Sequence, residues 1–553
     1  MPNTIRTRAT QLTWLTRTLV RSGFLGTVRL DRYARMGVNL RRHGGPSPVS
    51  GIGLAAARAP RATAIIDDAG RLTWSQLDAR CDALAAAIAA MPGPPVKTVA
   101  IMCRNHRGLI ESLAATSRLG LDAVLLNTGF AGPQFTDVVV GERVDLLIVD
   151  DEFDALTAGA LAASPGLRVV RAWIDDAAGS DSVDGLIESH LGHRPVRPRR
   201  AGRIVLLTSG TTGTPKGARR GGSTDIASLA AMLDRIPWRA GESTVIAAPI
   251  FHAWGFGQVA VAATMTCTMV MTRRFDPRTT LDLARTHRAA GIAVVPVMLE
   301  RIMDLPTEVL DQYRLPALRF VTASGSRMRP EAVSAFMDRF GDVVYNSYNA
   351  TEAGLISTAT PADLRAAPET AGRPLVGTSV RILDDADRPV AIGDIGRIVV
   401  ASSSGFDGYT SGSTKDFADG HMISGDVGRI DERGLLFVVG RDDEMIVSGG
   451  ENVYPLEVEQ VLGTHPAVGE VAVIGVDDDR FGQRLAAFVV RRHTASVASL
   501  DAEADRLRRH VKDHLAGFKV PRDVHFIDEL PRNATGKVLK RSLVAVGDDR
   551  KVG

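Results

Sequence analysis

At 553 residues, 45% hydrophobic and 23% charged, the chain is too long for one hydrophobic core and has the composition of a globular protein of two or more domains. Its net charge of +3 belongs to the N-terminus, where nine arginines against Asp31 through residue 43 give +8 and leave −5 for the rest, so nucleic-acid binding by the body is not expected. Cys81, Cys103 and Cys267 lie far apart, which excludes a disulfide framework or a zinc site and fits a reducing cytoplasm.

Residues 1–50 read as a basic amphipathic arm. Leu12, Leu15 and Leu19 share one helical face while Arg17 and Arg21 point elsewhere, and two placements stay open. The helix lies on an anionic membrane surface, at the inner face of the cell membrane, or it packs on the body with its arginines in water. No secretory signal is expected, because Met1 to Thr10 leads into no uninterrupted apolar run with a cleavage site. The glycines and prolines from His43 to Ser50 read as the hinge to the body.

From Gly51 to about Arg200, apolar runs alternate with helical patterns: Val99 to Cys103, Leu109 to Leu119, Ala123 to Leu126, Leu146 to Val149. That alternation predicts βαβ units and a mostly parallel sheet. Ile204 to Leu207 is one more buried strand, and it opens on a loop made for an anion. Thr208, Ser209, Thr211, Thr212 and Thr214 set five hydroxyls among Gly210, Gly213 and Gly217, and Lys216 adds a full positive charge. The Walker A pattern fails here, since Pro215 precedes Lys216 and Gly217 follows it.

Gly255 to Thr272 carries no charge, yet Gln258, Thr264, Thr266 and Thr268 make it too polar for a membrane span, so buried helix or sheet is predicted. Just before it, Phe251 and His252 stand between Pro249 and Gly255 and can line a pocket with one apolar and one polar side. Val294 to Val297 and Arg319 to Thr322 read as strands, the second ending in the turn Ala323-Ser-Gly-Ser326, the place where open α/β sheets bind nucleotides. Val344 to Gly354 follows, with Asn346, Tyr348, Thr351 and Glu352 offering an amide, a ring face, a hydroxyl and a carboxylate. Gly393 to Val400 reads as a turn and strand of a small β subdomain. Asp426 can accept from two vicinal hydroxyls, and Arg441 opens the segment running through Gly449 and Gly450 to Pro455. A small α/β domain closes the chain, and near its end stands Leu530-Pro-Arg-Asn-Ala-Thr-Gly-Lys537.

Taken in order, these motifs over residues 51 to 545 resemble those of the adenylate-forming superfamily of acyl-CoA synthetases, luciferases and peptide-synthetase adenylation domains. The resemblance implies a large α/β N-terminal domain of mostly parallel sheets with a small β subdomain (51–442), and a small mobile C-terminal domain (443–553) hinged at Asp443. It implies that the loop Thr208 to Lys216 holds phosphates, that Gly325, Ser326, Asn346 and Tyr348 hold adenine, and that Asp426 and Arg441 share the ribose. By the same resemblance Thr351 contacts the α-phosphate, Glu352 and Thr208 hold Mg²⁺, His252 flanks the acyl carbonyl, Gly449 and Gly450 contact CoA, and Lys537 is the catalytic lysine of the first half-reaction. Asn349 stands where many members have Gly at the border of the acyl pocket, and Arg397 stands where the family usually has Glu. The expected activity is an AMP-forming fatty-acyl-CoA ligase for medium or long chains, using ATP, Mg²⁺ and CoA. Its alternatives are an acyl-AMP ligase loading a carrier protein, an aryl-acid CoA ligase, or a non-catalytic fatty-acid uptake protein.

Overall fold

The computed structural model describes residues 2–26, 30–175, 181–200, 202–208, 216–220, 226–402, 408–410, 414–448, 451–478, 482–492, 499–533 and 536–543. The chain forms two compact units, Met1–Ser379 with Ala401–Lys415, and Val380–Val400 with Asp416–Gly553.

The first unit carries two sheets. One runs in the order Arg168–Trp173, Leu146–Asp150, Thr98–Met102, Asp122–Leu125, Ile204–Thr208, Lys216–Arg220, parallel except for its last pair. Its strands are the short apolar runs of the sequence, and Leu146–Asp150 is buried at every position, as a strand covered on both faces must be. The other sheet has nine described strands, of which the six from Val344–Ala350 to Thr63–Asp67 run parallel. Trp254, Val294, Val333 and Phe336 belong to the core on one of its faces. The run Val294 to Val297 is not a strand throughout. The strand Gly291–Val294 stops there and Pro296 opens the helix Pro296–Met303, because a missing N–H costs nothing in a first helical turn.

Helix Trp74–Ala90 starts where Thr73 and Gln76 form a capping box, the Gln76 N–H donating to Thr73 Oγ1 at 3.3 Å and the Thr73 N–H to Gln76 Oε1 at 2.8 Å. The uncharged stretch after Phe251 becomes the helix Ala253–Thr264 and the strand Thr268–Val270. Among the described residues no helix is long and apolar enough to cross a membrane.

The arm packs on the first unit. Helix Pro2–Arg21 meets helix Ile226–Arg235, burying Thr18, Leu19 and Ser22 while Leu12 stays 64% exposed. The Ala240 N–H donates to Ser22 O at 2.9 Å, and Arg58 Nη2 donates to Gly23 O at 2.6 Å. Helix Leu30–Arg42 ends with Arg42 paired to Asp82, a carboxylate that also accepts from Arg118 Nη1 at 2.6 Å. These contacts correspond to the packed placement of the arm.

In the second unit, Ser379–Leu383, Gly396–Ala401, His421–Ile430, Phe417–Ala418 and Leu436–Arg441 make a small sheet. Arg397 has a clear role there, donating to Asp384 O and Asp387 Oδ1, both at 2.7 Å, and so tying down the turn at residues 384–387. A further sheet follows, with Gly482–Arg491 at its centre in a long antiparallel pair with the edge strand Val468–Asp478, and helices Pro455–Gly463 and Leu500–His514 contributing to its core.

All three cysteines are free thiols and buried. Burial pushes the thiols of Cys81 and Cys103 well above their ordinary range and that of Cys267 up to about 12.

Candidate active site

The strand pair Ile204–Thr208 and Lys216–Arg220 is antiparallel with Thr208 opposite Lys216, so the two ends of the hydroxyl-rich loop stand side by side. Ser209, Gly210, Thr211, Thr212 and Gly213 themselves lie outside the described residues, as do Gly449 and Gly450. Gly217 is closely packed: a Cβ there would lie 2.6 Å from the Val205 side chain and 2.8 Å from Glu142 Oε1 and Thr410 Oγ1, so any larger residue would force these side chains to shift. Thr410 closes this corner, its N–H donating to Gly217 O at 2.7 Å and its hydroxyl to Glu142 Oε1 at 2.6 Å.

Its neighbour Tyr409 bridges Ala218 and sends its hydroxyl to Glu352 Oε1 at 2.5 Å. The hairpin flanking the hydroxyl-rich loop and the Glu352 turn are therefore connected through one tyrosine. Glu352 is only 11% exposed, with Lys415 Nζ at 4.0 Å. Ser402 Oγ holds the same turn by donating to Ala353 O at 2.7 Å. Sequence reading missed Tyr409, Lys415 and Ser402, which lie 49 to 63 residues beyond the groups they support and carry no motif of their own.

The adenine candidates come together at strand ends. Phe320–Ala323 and Val344–Ala350 are parallel neighbours with Ala323 opposite Asn346, and the turn after the first carries exposed Gly325 and Ser326. Asn346 Nδ2 donates to Thr370 O at 3.1 Å, which assigns the amide so that its oxygen is the acceptor. An acceptor is what an adenine amino group needs. Tyr348 is half-buried on the same strand, and the adjoining turn carries Thr351. Ser324 Oγ donates to Ser347 O at 2.5 Å and lies 3.1 Å from Asn349 Oδ1, locking the Asn349 carboxamide against the Gly325 turn.

His252 precedes helix Ala253–Thr264, its ring 4.5 Å from that of Phe251. Its Nε2 is buried without a hydrogen-bond partner, and desolvation pulls the imidazole down to about 4. At neutral pH it is an uncharged ring. The segment leading to it is fixed by Asn105, unnoticed in the sequence, whose Nδ2 lies 3.0 to 3.4 Å from the carbonyls of Ile246, Ala247 and Ala248 and whose Oδ1 accepts from Ile250 N–H at 2.9 Å. Beside it, Cys103, His106 and Asp150 have ligand atoms within 4.8 Å of one another, the spacing of a metal group. His106 Nδ1 accepts from Gly108 N–H and Nε2 meets Asp150 Oδ1 at 2.8 Å, so both ring nitrogens are taken and the cluster caps a helix instead.

In the second unit Asp426 and Arg441 are cross-strand partners, with Arg441 Nη1 at 3.4 Å from Asp426 Oδ1. Gly425, at φ +84°, makes room: a Cβ there would lie 3.3 Å from the Arg441 guanidinium. Ser424 Oγ donates to Ile398 O at 2.7 Å and accepts from Asp426 N–H at 3.0 Å. Lys537 is exposed on a hairpin of its own, where its N–H donates to Asn533 Oδ1 and its carbonyl accepts from Asn533 N–H, both at 2.9 Å.

A mixed α/β body with candidate adenine residues at strand ends, and a small α/β unit carrying a lysine hairpin, is the arrangement expected of an adenylate-forming enzyme. The chain belongs to the AMP-binding enzyme family, which matches residues 54–410, and the AMP-binding enzyme C-terminal domain matches residues 457–537. It is 32% identical to the indoleacetate–CoA ligase of Aromatoleum aromaticum, over 88% of this chain and 96% of that one. It is also 32% identical to a feruloyl-CoA synthase of Amycolatopsis, over 87% of this chain and 95% of that one. Among solved structures, the o-succinylbenzoate CoA synthetase of Bacillus subtilis, in complex with its acyl-adenylate intermediate, superposes with a TM-score of 0.77 at 26% identity, covering 89% of this chain and 97% of that one.

Proposed function

We propose that this enzyme activates an aryl or aryl-substituted carboxylic acid and passes it to CoA. It is an AMP-forming acid–thiol ligase that works through an acyl-adenylate and draws on ATP, Mg²⁺ and CoA. The observation that carries the choice of acid is that the relatives at 32% identity over nearly the whole chain act on indoleacetate and ferulate and the solved succinylbenzoate enzyme on a third ring-bearing acid, while a fatty acid–[acyl-carrier-protein] ligase of Streptomyces coeruleorubidus matches over the same span at 29%. We favour this alternative over the expected fatty acid. The Asn349 carboxamide supports the same reading: at the border of an acyl pocket, an amide held by Ser324 offers hydrogen bonds that an alkyl chain would leave unmet. The packing of the arm's helix on the body lends the lipid reading no support.

In the first half-reaction a carboxylate oxygen attacks the α-phosphorus of ATP and pyrophosphate leaves. The acid is already ionised at neutral pH, so no base is required and the protein's work is positioning and charge neutralisation. We assign phosphate binding to the loop from Thr208 to Lys216, adenine to Gly325, Ser326, Asn346 and Tyr348, the α-phosphate contact to Thr351, ribose to Asp426 and Arg441, and the neutralising charge to Lys537. Glu352 fits a magnesium site, being a shielded carboxylate, a hard oxygen donor oriented by the Tyr409 hydroxyl. With Thr208 it would hold Mg²⁺, which when bound spreads the charge of the phosphates. In the second half-reaction the CoA sulfur attacks the acyl carbon and AMP leaves. We assign His252, whose Nε2 is unpartnered and whose preceding segment is held by Asn105, to the border of that carbonyl, and Gly449 and Gly450 to CoA.

The test is mass spectrometry of products formed from ATP and Mg²⁺ with a panel of acids from acetate to oleate and a set of aryl acids, with and without CoA. Aryl-CoA thioesters should dominate. Preference for an alkyl chain overturns the acid assignment, and acyl-AMP that accumulates in the presence of CoA overturns the acceptor.

A further inference from the structure

The hairpin that presents Lys537 is anchored at both ends by ion pairs that no catalytic role accounts for. At one end Arg532 Nη2 donates to Glu470 Oε2 at 2.7 Å, on strand Val468–Asp478, and Nη1 donates to Gly536 O at 2.6 Å. Beyond the hairpin Lys540 Nζ lies 2.9 Å from Glu459 Oε1 and 3.3 Å from Glu444 Oε2. Lys540 is 23% exposed and Glu459 13%, so this is a shielded three-charge cluster. Glu459 sits on helix Pro455–Gly463 and also accepts from the Val473 N–H at 2.7 Å. Glu444 ends the short 3₁₀ turn Asp442–Glu444, which contains Asp443. Leu530 and Leu543, on either side of the hairpin, are buried in one cluster with Ile474 and Phe488.

We infer that Lys540 is a positioning residue for Lys537, coupling the lysine hairpin through Glu444 to the turn at Asp443. The reasoning is geometric. Lys537 is exposed and three residues from Lys540, so its Cα is set by the hairpin backbone and its charge has to arrive beside a phosphate with little positional slack. A buried lysine bridging two carboxylates fixes that backbone against a helix and against the turn on which the small domain would swing. Any rotation about the turn then carries the lysine hairpin with it as one piece. The inference rests on Lys537 serving the adenylation step. An ion-pair cluster that only stabilised the fold would, when broken, lower both half-reactions together, whereas a positioning role predicts a selective loss.

The experiment uses the full-length enzyme with its acid and compares ATP–pyrophosphate exchange with thioester formation from supplied acyl-adenylate, alongside thermal unfolding. In Lys540→Met the exchange should fall on the order of 10²-fold while the thioester step stays within about twofold, and Lys540→Arg should restore most of the exchange. Glu444→Gln, which leaves the Lys540–Glu459 pair in place, should lower exchange in the same selective way by a smaller factor, and it decides the matter if Lys540→Met does not fold. Equal loss of both half-reactions, or unchanged exchange in Glu444→Gln, overturns the coupling. Lys537→Ala run in parallel separates the two ideas: exchange that survives in it overturns the role of Lys537 and the inference with it, whereas exchange lost in Lys537→Ala but kept in Lys540→Met and Glu444→Gln sinks the coupling alone.

Discussion

An imidazole held in an apolar environment resists protonation, and at His252 the effect is large enough to be read in stability. The folded ring protonates at about 4, against about 6.5 in an unfolded chain, through desolvation alone. As pH falls below 6.5 the unfolded state takes up a proton that the folded state refuses, so the folded state loses stability until pH reaches about 4. The loss is up to about 3 kcal/mol. Wild-type protein should therefore lose unfolding free energy relative to His252→Gln between pH 7 and pH 4 in denaturant titrations, and a pH-independent difference would contradict the buried, uncharged ring. Asn105 makes a complementary point at the same scale. Its four contacts to the backbone at residues 246–250 hold the approach to His252, and removing one side of such a buried network leaves several polar groups unsatisfied.

Among the elements, the N-terminal helix shows how burial separates two readings that share one leucine pattern. Leu19 is 3% exposed against the first unit and Leu12 is 64% exposed. Leu19→Ala should cost about 2 to 3 kcal/mol and Leu12→Ala a few tenths; equal small effects in thermal or chemical unfolding would return the helix to the membrane alternative. The strands and helices of the body were legible because their signals are local. Val99 to Cys103 and Leu146 to Val149 are apolar runs bounded by turn residues, and they appear as Thr98–Met102 and Leu146–Asp150. Val294 to Val297 misled because β-branched residues around a proline look extended, while the proline was opening a helix. In the candidate site, the residues inside contiguous motifs could be named in advance. Those that hold them could not: His106 and Asp150 are 44 residues apart, and Tyr409 is 57 from Glu352, so their pairing exists only once the strands are side by side.

For the whole molecule, the contact pattern groups the small sheet from Ser379–Leu383 to Leu436–Arg441 with the C-terminal residues, whereas the sequence motifs place the boundary at Asp443. Along the chain Asp443 follows the Asp426–Arg441 pair and precedes the Lys537 hairpin, and the contact pattern groups all of them in one unit. If the small domain swings there to exchange the adenylation site for the thioester site, the backbone of Asp443 has to change its dihedral angles. Proline fixes φ near −65°, which suits a 3₁₀ turn and forbids the change. Asp443→Pro should then keep ATP–pyrophosphate exchange and lose acyl-CoA formation; loss of neither, or of both alike, would move the pivot elsewhere.

The three buried thiols have a consequence for an enzyme of this chemistry. An acyl-adenylate acylates any nucleophile that reaches it, and CoA supplied from outside arrives partly as its own disulfide. Cys81, Cys103 and Cys267 are shielded from solvent and stay protonated at neutral pH. The catalyst therefore presents no thiolate that could intercept its own activated product or be trapped as a mixed disulfide with its second substrate. Thiol acylation and mixed-disulfide formation are both disfavoured by where three side chains are packed.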